Sequence, residues 1–597
     1  MEAAGLARAA VVARRGGLAR RVVAGAPLVA IVAVASALRL WSFGEIAGNP
    51  FYDAAVRSMS QSWHNLFFGA FDPGAMSAVD KAPLDLWLQV ASVKLFGFSS
   101  TALRLPEVIG GIAAVVLVYD LGRRLFGREA GLAAATVLAV LPASVLTARS
   151  DTMDAVMMAF VVLSAWCVVR AAQDPRAALR WMVAAGTALG IAFNVKLAEA
   201  LLPLPALLLL AGLGLAGGVG ARLRALLAGG AAFAAVALSW LVAVALAPGP
   251  KPFPIGSTDG TAWNVVLVFD GTARLGLAKT TAQRPGSGPL TLFGTHGAAF
   301  GVLVGSALLG TLIAGGLAVA LDVRRGGAGR ARLPHAGAVF VVVWLVLGVA
   351  VFSRMSVVYA RYLDALAPAL ALALGAGAAA LAAAAPRRRL TAAMLAVAVL
   401  LAAAVAVPVA HPSATPLVVA GAAALALAAL ALRARARVRL PAQAFLTLAL
   451  AGLLAVPAAA SLRLAGNHTS DGGEPGAMPA AQVARLSAYL AAHRAGARYQ
   501  LAVTGAAKAG PLIARDGQRV LILTTAYGRP LVTPHQLAAA VRGGQVRYLL
   551  TGGAPCVRGM PRDRTGCAPA VRWAMAHGRD VSHAVGVPRG LLLHLRR

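Results

Sequence analysis

Carboxylates are scarce in this chain. It holds 22 Asp and Glu among 597 residues, against 55 Lys and Arg, for a formal charge of +33 at pH 7. Such a balance would suit a nucleic-acid binder, but the arginines fall in short clusters between apolar runs, not along one face, which excludes that class. The joint enrichment in Ala, Arg and Gly also has the look of a coding bias that inflates the charge. Cysteine is scarcer still, with three residues. Cys167 lies in an apolar run and reads as a small packing residue. Cys556 and Cys567 can pair only in an oxidising compartment; otherwise they are two free thiols. No cleavable leader is expected, because the first apolar run is long enough to span a bilayer and others follow it. No internal repeat is visible either, which weighs against a transporter built from repeated halves.

Apolar length is abundant. The chain is 59% hydrophobic, with a mean hydropathy of +0.75, so the expected class is a polytopic α-helical membrane protein. About 13 spans are expected: Val22–Trp41, then 103–121, 130–148, 153–171, 179–195, 198–216, 225–247, 296–321, 335–353, 362–384, 390–408, 416–432 and 442–462. Arginine clusters alternate between their junctions. They stand at Arg8 to Arg21 and in GRRLFGR (122–128), VRAAQDPRAALR (169–180), GARLR (220–224), DVRRGGAGRAR (322–332), PRRR (386–389) and RARARVR (433–439). Positive residues stay inside, so the N-terminus is expected in the cytoplasm and the chain in the cell membrane. Two long loops, 43–102 and 248–295, are then outside, and the odd span count leaves the tail outside as well. The predicted organisation is a membrane domain over 1–462 and an extracytoplasmic domain over 463–597.

The tail opens on turn formers, GNHTSDGGEPG,. AAQVARLSAYLAAHRA reads as a helix, RYQLAVTG, RVLILTT and VRYLLTGG as strands, and PHQLAAAVRGG as a helix between the last two,. The expectation is a small α/β domain. It carries no Ser-His-Asp, metal or nucleotide signature.

The few carboxylates before the tail gather at predicted outer positions, where ionisable groups at a span edge are functional candidates. Three groupings stand out. In VDKAP, Asp80 and Lys81 precede a proline that fixes the backbone, and the lysine could neutralise a departing phosphate. In TARSDTMDAV, Arg149, Asp151 and Asp154 open a span, with the two acids three apart and so expected on one helical face; such acids also partner a helix dipole. In SRMSVVYARYLDALAP, Tyr359, Arg361 and Tyr362 set cations and rings at the outer face, and the arginines run against the positive-inside rule. His64 in SQSWHN is a candidate acid/base or a packed histidine. Asn194 and Lys196 in FNVK are candidates for phosphate contact, and Asp259 in GSTDG for hydrogen bonds to sugar hydroxyls. The clustered acids could hold a divalent cation, although no ligand spacing demands one.

At these residues the chain resembles the GT-C glycosyltransferases of the protein O-mannosyltransferase and lipid A aminoarabinose-transferase type, and most closely an ArnT-like bacterial subgroup. The resemblance rests on NPFYDAAVRSMSQSWHNLFFGAFDPGA…VDKAPLDLW (49–87), KPFPIGSTDGT (251–261) and the α/β tail, and it covers essentially the whole chain. It implies a GT-C fold and transfer of a sugar, with inversion, from a polyprenyl-phosphate donor to an extracytoplasmic protein, lipid or envelope glycan. An acid of the first outer loop would act as general base, and Lys81 with nearby arginines would stabilise the leaving phosphate. The chain departs from the better-known members at their Asp-Glu pair before the loop tyrosine, here Tyr52: by that register Gly48 and Asn49 stand instead. Asp53 is the nearest substitute base, with Asp80, Asp151 and Asp154 as rivals, and Asn49 a contact to sugar or acceptor. The alternatives are a polyprenyl-linked-sugar transporter or flippase, and a binding homologue without activity.

Overall fold

A computed structural model of the chain describes residues 25–273, 332–355, 359–387, 389–410, 415–433, 441–471, 478–525, 528–552 and 567–596. It is a bundle of apolar helices capped at one end by polar loops and a mixed α/β domain. Eight helices among the described residues are long and apolar enough to cross a membrane, or nine with one bent pair counted as a span. The first, α1 (Gly25–Glu45), leads into three short helices of the first loop: α2 (Pro50–Met59), α3 (Trp63–Phe68) and α4 (Leu84–Phe96). Then follow α5 (Ser100–Phe126), the bent pair α6 (Arg128–Val140) and α7 (Pro142–Ala148), α8 (Asp154–Gln173), α9 (Ala178–Lys196), α10 (Leu204–Gly214) and α11 (Val219–Leu246). After residues outside the description come α12 (Arg332–Arg354), α13 (Ala367–Ala384), α14 (Arg389–Ala410), α15 (Thr415–Arg433) and α16 (Ala442–Gly466).

Local sequence explains the breaks. Pro142 has no N–H to give and holds Leu141 extended, so the span expected over 130–148 bends by 61°,. The span expected over 198–216 differs more. A 3-10 turn, Leu197–Leu201, continues α9, and α10 then has 11 residues. At 1.5 Å per residue that is about 16 Å, short of a bilayer core. The expected span 296–321 lies outside the described residues. Where α9 crosses α11, a Cβ on Gly186 would stand 1.9 Å from the carbonyl oxygen of Gly229, so glycine is required for this approach,.

The tail is a five-stranded sheet ordered β4 (Leu521–Thr524), β3 (Ala502–Gly505), β5 (Tyr548–Leu550), β7 (Leu592–Leu595), β6 (Gly578–Asp580). The first three strands run parallel and the last two pair antiparallel. Alternation sends Val503, Leu550 and Leu592 towards α17 (Ala480–His493) and α18 (Gly510–Asp516),. It sends Ala502, Leu549 and Leu593 towards α19 (Pro534–Arg542) and α20 (Pro569–His577). Of the tail's cysteines, Cys567 is disulfide-bonded, and Cys556 lies outside the described residues.

The two long loops and the tail touch one another, so they share one side of the membrane. β1 (Ser77–Ala78) of the first loop pairs in parallel with β2 (Phe253–Pro254) of the second. Gln61 Nε2 donates to Gly517 O at 2.9 Å, and Arg529 Nη1 to Thr258 O at 3.3 Å, tying the tail to both.

Candidate active site

The site begins at α2. Asn49 caps it, its side-chain oxygen accepting from Phe51 N, and Pro50 supplies the first helical residue, whose missing N–H costs nothing there,. Asp53 falls in the first turn and its carboxyl points back past the cap. A Cβ on Gly48 would lie 2.0 Å from Asp53 Oδ2. The Asp53 carboxyl thus fills the space a side chain at position 48 would need. Facing it is Asp151, within hydrogen-bond reach and also accepting from Asn49 N at 3.1 Å. Burial, the Asp151 charge and the hydrogen bond between the two carboxyls hold the Asp53 pKa well above the usual carboxylate range, with Arg104 opposing. Arg104 is buried in the first turns of α5, and its Nε and Nη2 lack a hydrogen-bond partner among the described residues. The sequence reading passed over Arg104 because it lies inside an apolar run; an arginine on the outer side of a span was the available signal.

Asp151 and Asp154 do not share a helical face. Met153 takes a left-handed conformation (φ 73°) and α8 starts only at Asp154, so Asp151 lies in the turn before it. The two acids therefore serve different clusters. Asp154 pairs with Lys196, which also reaches Glu199 at 2.9 Å and stands 5.0 Å from the centre of the Tyr362 ring. Arg361 packs on the Tyr359 ring and pairs with Asp471 of the tail linker at 3.3 Å.

Lys81 is placed by the first loop's own turn. Asp72 accepts from Gly74, Met76 and Ser77 N–H groups, fixing the hairpin that leads into β1. Burial raises its pKa to about 6, against those same hydrogen bonds. Three residues past β1, Lys81 Nζ donates to both oxygens of Asp80 at 2.9 Å and lies 5.6 Å from the ring centre of Tyr52, the neighbour of Asp53. Lys81 also lines a cavity of about 200 Å³ that is otherwise apolar for much of its wall, with Phe68, Trp240, Trp263 and Val266.

Other candidates are committed elsewhere. Arg149 is wholly buried and donates to the carbonyls of Leu38, Arg39 and Trp41, pinning α7 to the end of α1. Asn194 donates to Val236 O across the α9–α11 contact at 2.7 Å. His64 is exposed, lies tilted against Phe68 with 4.7 Å between ring centres, and reaches Pro250 O at 3.3 Å. Asp259 is opposed by slight burial, yet hydrogen bonds from Thr261 and Ser257 hold its pKa low.

Behind the site, Asp85 of α4 and Glu107 of α5 form a second facing carboxyl pair. Burial raises the Asp85 pKa to about 6, with bonds to Glu107 and Gln89 working against it. Glu107 Oε2 accepts from Ala155 N at 3.0 Å and Val156 N at 3.1 Å, capping α8 from outside the helix,. Among the described residues, no group of three or more His, Cys, Asp or Glu is arranged to hold a metal ion.

Comparison with known proteins bears on this geometry. Residues 80–241 match the family model described as dolichyl-phosphate-mannose-protein mannosyltransferase. Residues 486–577 match one described as "Putative mannosyltransferase YkcB-like, C-terminal". The chain is similar to the "Putative mannosyltransferase YkcB" of Bacillus subtilis, with 34% identity over 241 residues, 40% of this chain and 33% of that protein. It is similar to the "Putative mannosyltransferase YycA" of the same organism, with 30% identity over 270 residues, 44% of this chain and 39% of that one. The alignments thus span little more than a third of those relatives' length. Among solved structures it is similar to apo ArnT from Cupriavidus metallidurans, with a TM-score of 0.56 at 18% identity, covering 95% of this chain and 97% of that one. ArnT bound to undecaprenyl phosphate gives 0.51 at 18% identity, covering 88% and 93%. The chain therefore has the GT-C fold of ArnT, and residues 80–241 and 486–577 are similar to mannosyltransferase family models.

Proposed function

We propose that this protein is a membrane glycosyltransferase that moves a sugar from a polyprenyl-phosphate donor to an extracytoplasmic acceptor with inversion. The observation that carries it is a juxtaposition: a largely apolar cavity with the Lys81 ammonium in its wall, and Lys251 at its other side, reached across Tyr52 from a buried carboxyl pair, Asp53 and Asp151. A polyprenyl chain needs the cavity, its phosphate needs the cation, and the acceptor hydroxyl needs a base. The undecaprenyl phosphate held by ArnT supports the donor class.

The step runs as follows. Asp53 takes the proton of the acceptor hydroxyl, whose oxygen attacks the anomeric carbon from the face opposite the phosphate. The bond from that carbon to the phosphate oxygen breaks, and its electron pair leaves with the lipid phosphate, whose charge Lys81 meets. Asp80 then releases Lys81 from its bidentate pairing as the phosphate arrives. Asp151 holds Asp53 in place through the Asn49 cap, and Arg361, Lys196 and their tyrosines line the approach. The domain limits 1–462 and 463–597, a cytoplasmic N-terminus, an outer tail and a place in the cell membrane complete the reading, following the alternation of the arginine clusters.

The test is label transfer from a panel of polyprenyl-phosphate hexoses and pentoses by the full chain in lipid. Free polyprenyl phosphate should appear with the natural protein and fall by roughly 10²–10³-fold with Lys81→Ala, the loss typical of removing one charge-stabilising donor. Normal turnover by Lys81→Ala would remove the lysine from the mechanism. Donor translocation without phosphate release would mean a flippase.

A further inference from the structure

Cations in the membrane half are accounted for by the inner junctions. Those of the tail are not. Residues 478–597 hold 17 Lys and Arg against three Asp, in a domain that touches the outer loops. The positive-inside rule gives no reason for such a charge there, and an excess this large sets up an attractive field for anions.

One part of the tail gathers the charge onto rings. In the register of the sheet, His594 of β7 lies opposite Tyr548 of β5 on one side and Arg579 of β6 on the other, so the three share a face,. Tyr548 lies 5.1 Å from His594 between ring centres, and Tyr489 of α17 lies 5.8 Å from Tyr548. The row thus runs cation, imidazole, phenol, phenol, with Tyr548 buried as the middle link and Arg579, His594 and Tyr489 reaching the surface. Arg547 and Arg596 join it. After burial, the charges of Arg547, Arg596 and Arg579 push the His594 pKa below its usual value. Arg579 and Arg596 are exposed, and neither forms an ion pair among the described residues. Arg547 Nε is buried and has no hydrogen-bond partner among the described residues. The neighbouring carboxylate, Asp580, shares the other face with Leu593 and spends its oxygens on Ser582 N and Gly590 N at 2.9 Å. Nothing described neutralises the row.

We infer that this row is a binding site for a polyanionic glycan, a polymer of sugar rings bearing phosphate or carboxylate groups. Guanidiniums meet phosphate and carboxylate through paired N–H donors, and ring faces beside them suit the flat C–H faces of sugars. A cation cluster alone would fit any anion, and rings alone any glycan; cations at one end of a row of rings fit both at once. Calling that polymer the acceptor rests on the glycosyltransferase reading above. The binding does not.

The experiment therefore measures binding without donor. The full chain in neutral-lipid nanodiscs is titrated with a glycan carrying phosphate monoesters on its sugar rings, with the same glycan dephosphorylated, and with vesicles containing anionic phospholipid. Expected are binding of the phosphorylated glycan, affinity falling as salt rises, and at least a tenfold loss in Arg579→Glu/Arg596→Glu. Tyr489→Ala, which keeps the charges, should also weaken it. Arg572→Glu on α20, which packs on the opposite face of the sheet, should not. Equal affinity of the natural chain and the double variant would overturn the site, as would equal affinity for the dephosphorylated glycan. Capture of vesicles in place of glycan would overturn it in favour of a membrane surface. Circular dichroism of the double variant guards against misfolding. If phosphate release from the donor persists in the double variant while glycan binding is lost, both readings stand. If no donor turns over in any form, only the glycosyltransferase reading falls.

Discussion

Position 48 and Asp53 trade places in space. The proposed base comes from one turn inside α2, and it reaches the site only because Gly48 has no side chain in its way. Gly48→Ala puts a carbon 2.0 Å from Asp53 Oδ2, so the carboxyl has to swing off. The expected result is a chain that inserts normally and loses transfer by roughly 10²-fold, the scale of a misplacement near 1 Å; phosphate release at saturating donor checks it. Asp53→Asn should lose more, since no base remains. The pH dependence has a definite sign. Asp53 acts as a base only when ionised, and burial with the facing Asp151 raises its pKa well above normal. Activity should therefore climb with pH through an apparent pKa above the ordinary carboxylate value, and be lost as pH falls below it. Asp151→Asn removes the like charge, so the midpoint of kcat/KM should move to lower pH. A midpoint that stays put would take Asp151 out of the coupling. The placement of these proposed residues was half legible from sequence. Lys81 stands in a grouping that the placement of the carboxylates singled out and Asp53 where the family resemblance pointed, while the clash that makes Gly48 necessary depends on a backbone path that no local pattern encodes.

Among the elements, the N-terminus of α8 decides where both acid clusters sit. Its first turn is capped by Glu107 from α5, and α5 can approach because a Cβ on Gly110 would stand 2.9 Å from the Cα of Val156. The spacing of Asp151 and Asp154 suggested one helical face. The left-handed Met153 breaks that inference, because a helix cannot begin before it,. Long-range capping of this kind leaves no trace in sequence. A Ser or Asp just ahead of the helix would have been legible, whereas a glutamate 47 positions earlier is not,. Glu107→Ala should cost about 1–2 kcal/mol of stability, the usual worth of a lost cap, read as a lower midpoint in thermal unfolding in detergent. Its kcat should fall as well, because Asp154 and the 149–153 turn lose their anchor. Glu107→Gln keeps an acceptor for the two N–H groups and should recover most of both. Equal damage from Gln and Ala would show that charge, and not capping, is what α8 needs.

At the scale of the whole molecule, the membrane class, the α/β tail and most span positions follow from composition and period, since burial in lipid demands long apolar helices and little else. The shortness of α10 and the bend at Pro142 do not, because packing against neighbours decides whether an apolar run crosses or stops. The docking of the tail was not legible either. It depends on glycine at the contact: α18 lies so close to α2 that a Cβ on Gly510 would stand 2.8 Å from the carbonyl oxygen of Pro50. Pro50 sits between Asn49 and the turn that carries Asp53, so the tail presses on the backbone that aims the proposed base. Ile522 N–H reaching Met76 Sδ at 3.4 Å adds a second hold on the hairpin before Lys81. A tail that merely hangs from the last span would tolerate a bulky residue at 510. A tail that braces the site would not. Gly510→Leu should leave the spans inserted and the tail folded, yet lower kcat by about tenfold or more, since displacement well under 1 Å at Asp53 suffices for that. Limited proteolysis between 467 and 478 should speed up in the same variant as α18 lifts from α2. Unchanged kcat together with faster cleavage would show that the tail docks without bracing, and the tail's part in the enzyme would then reduce to capturing its acceptor.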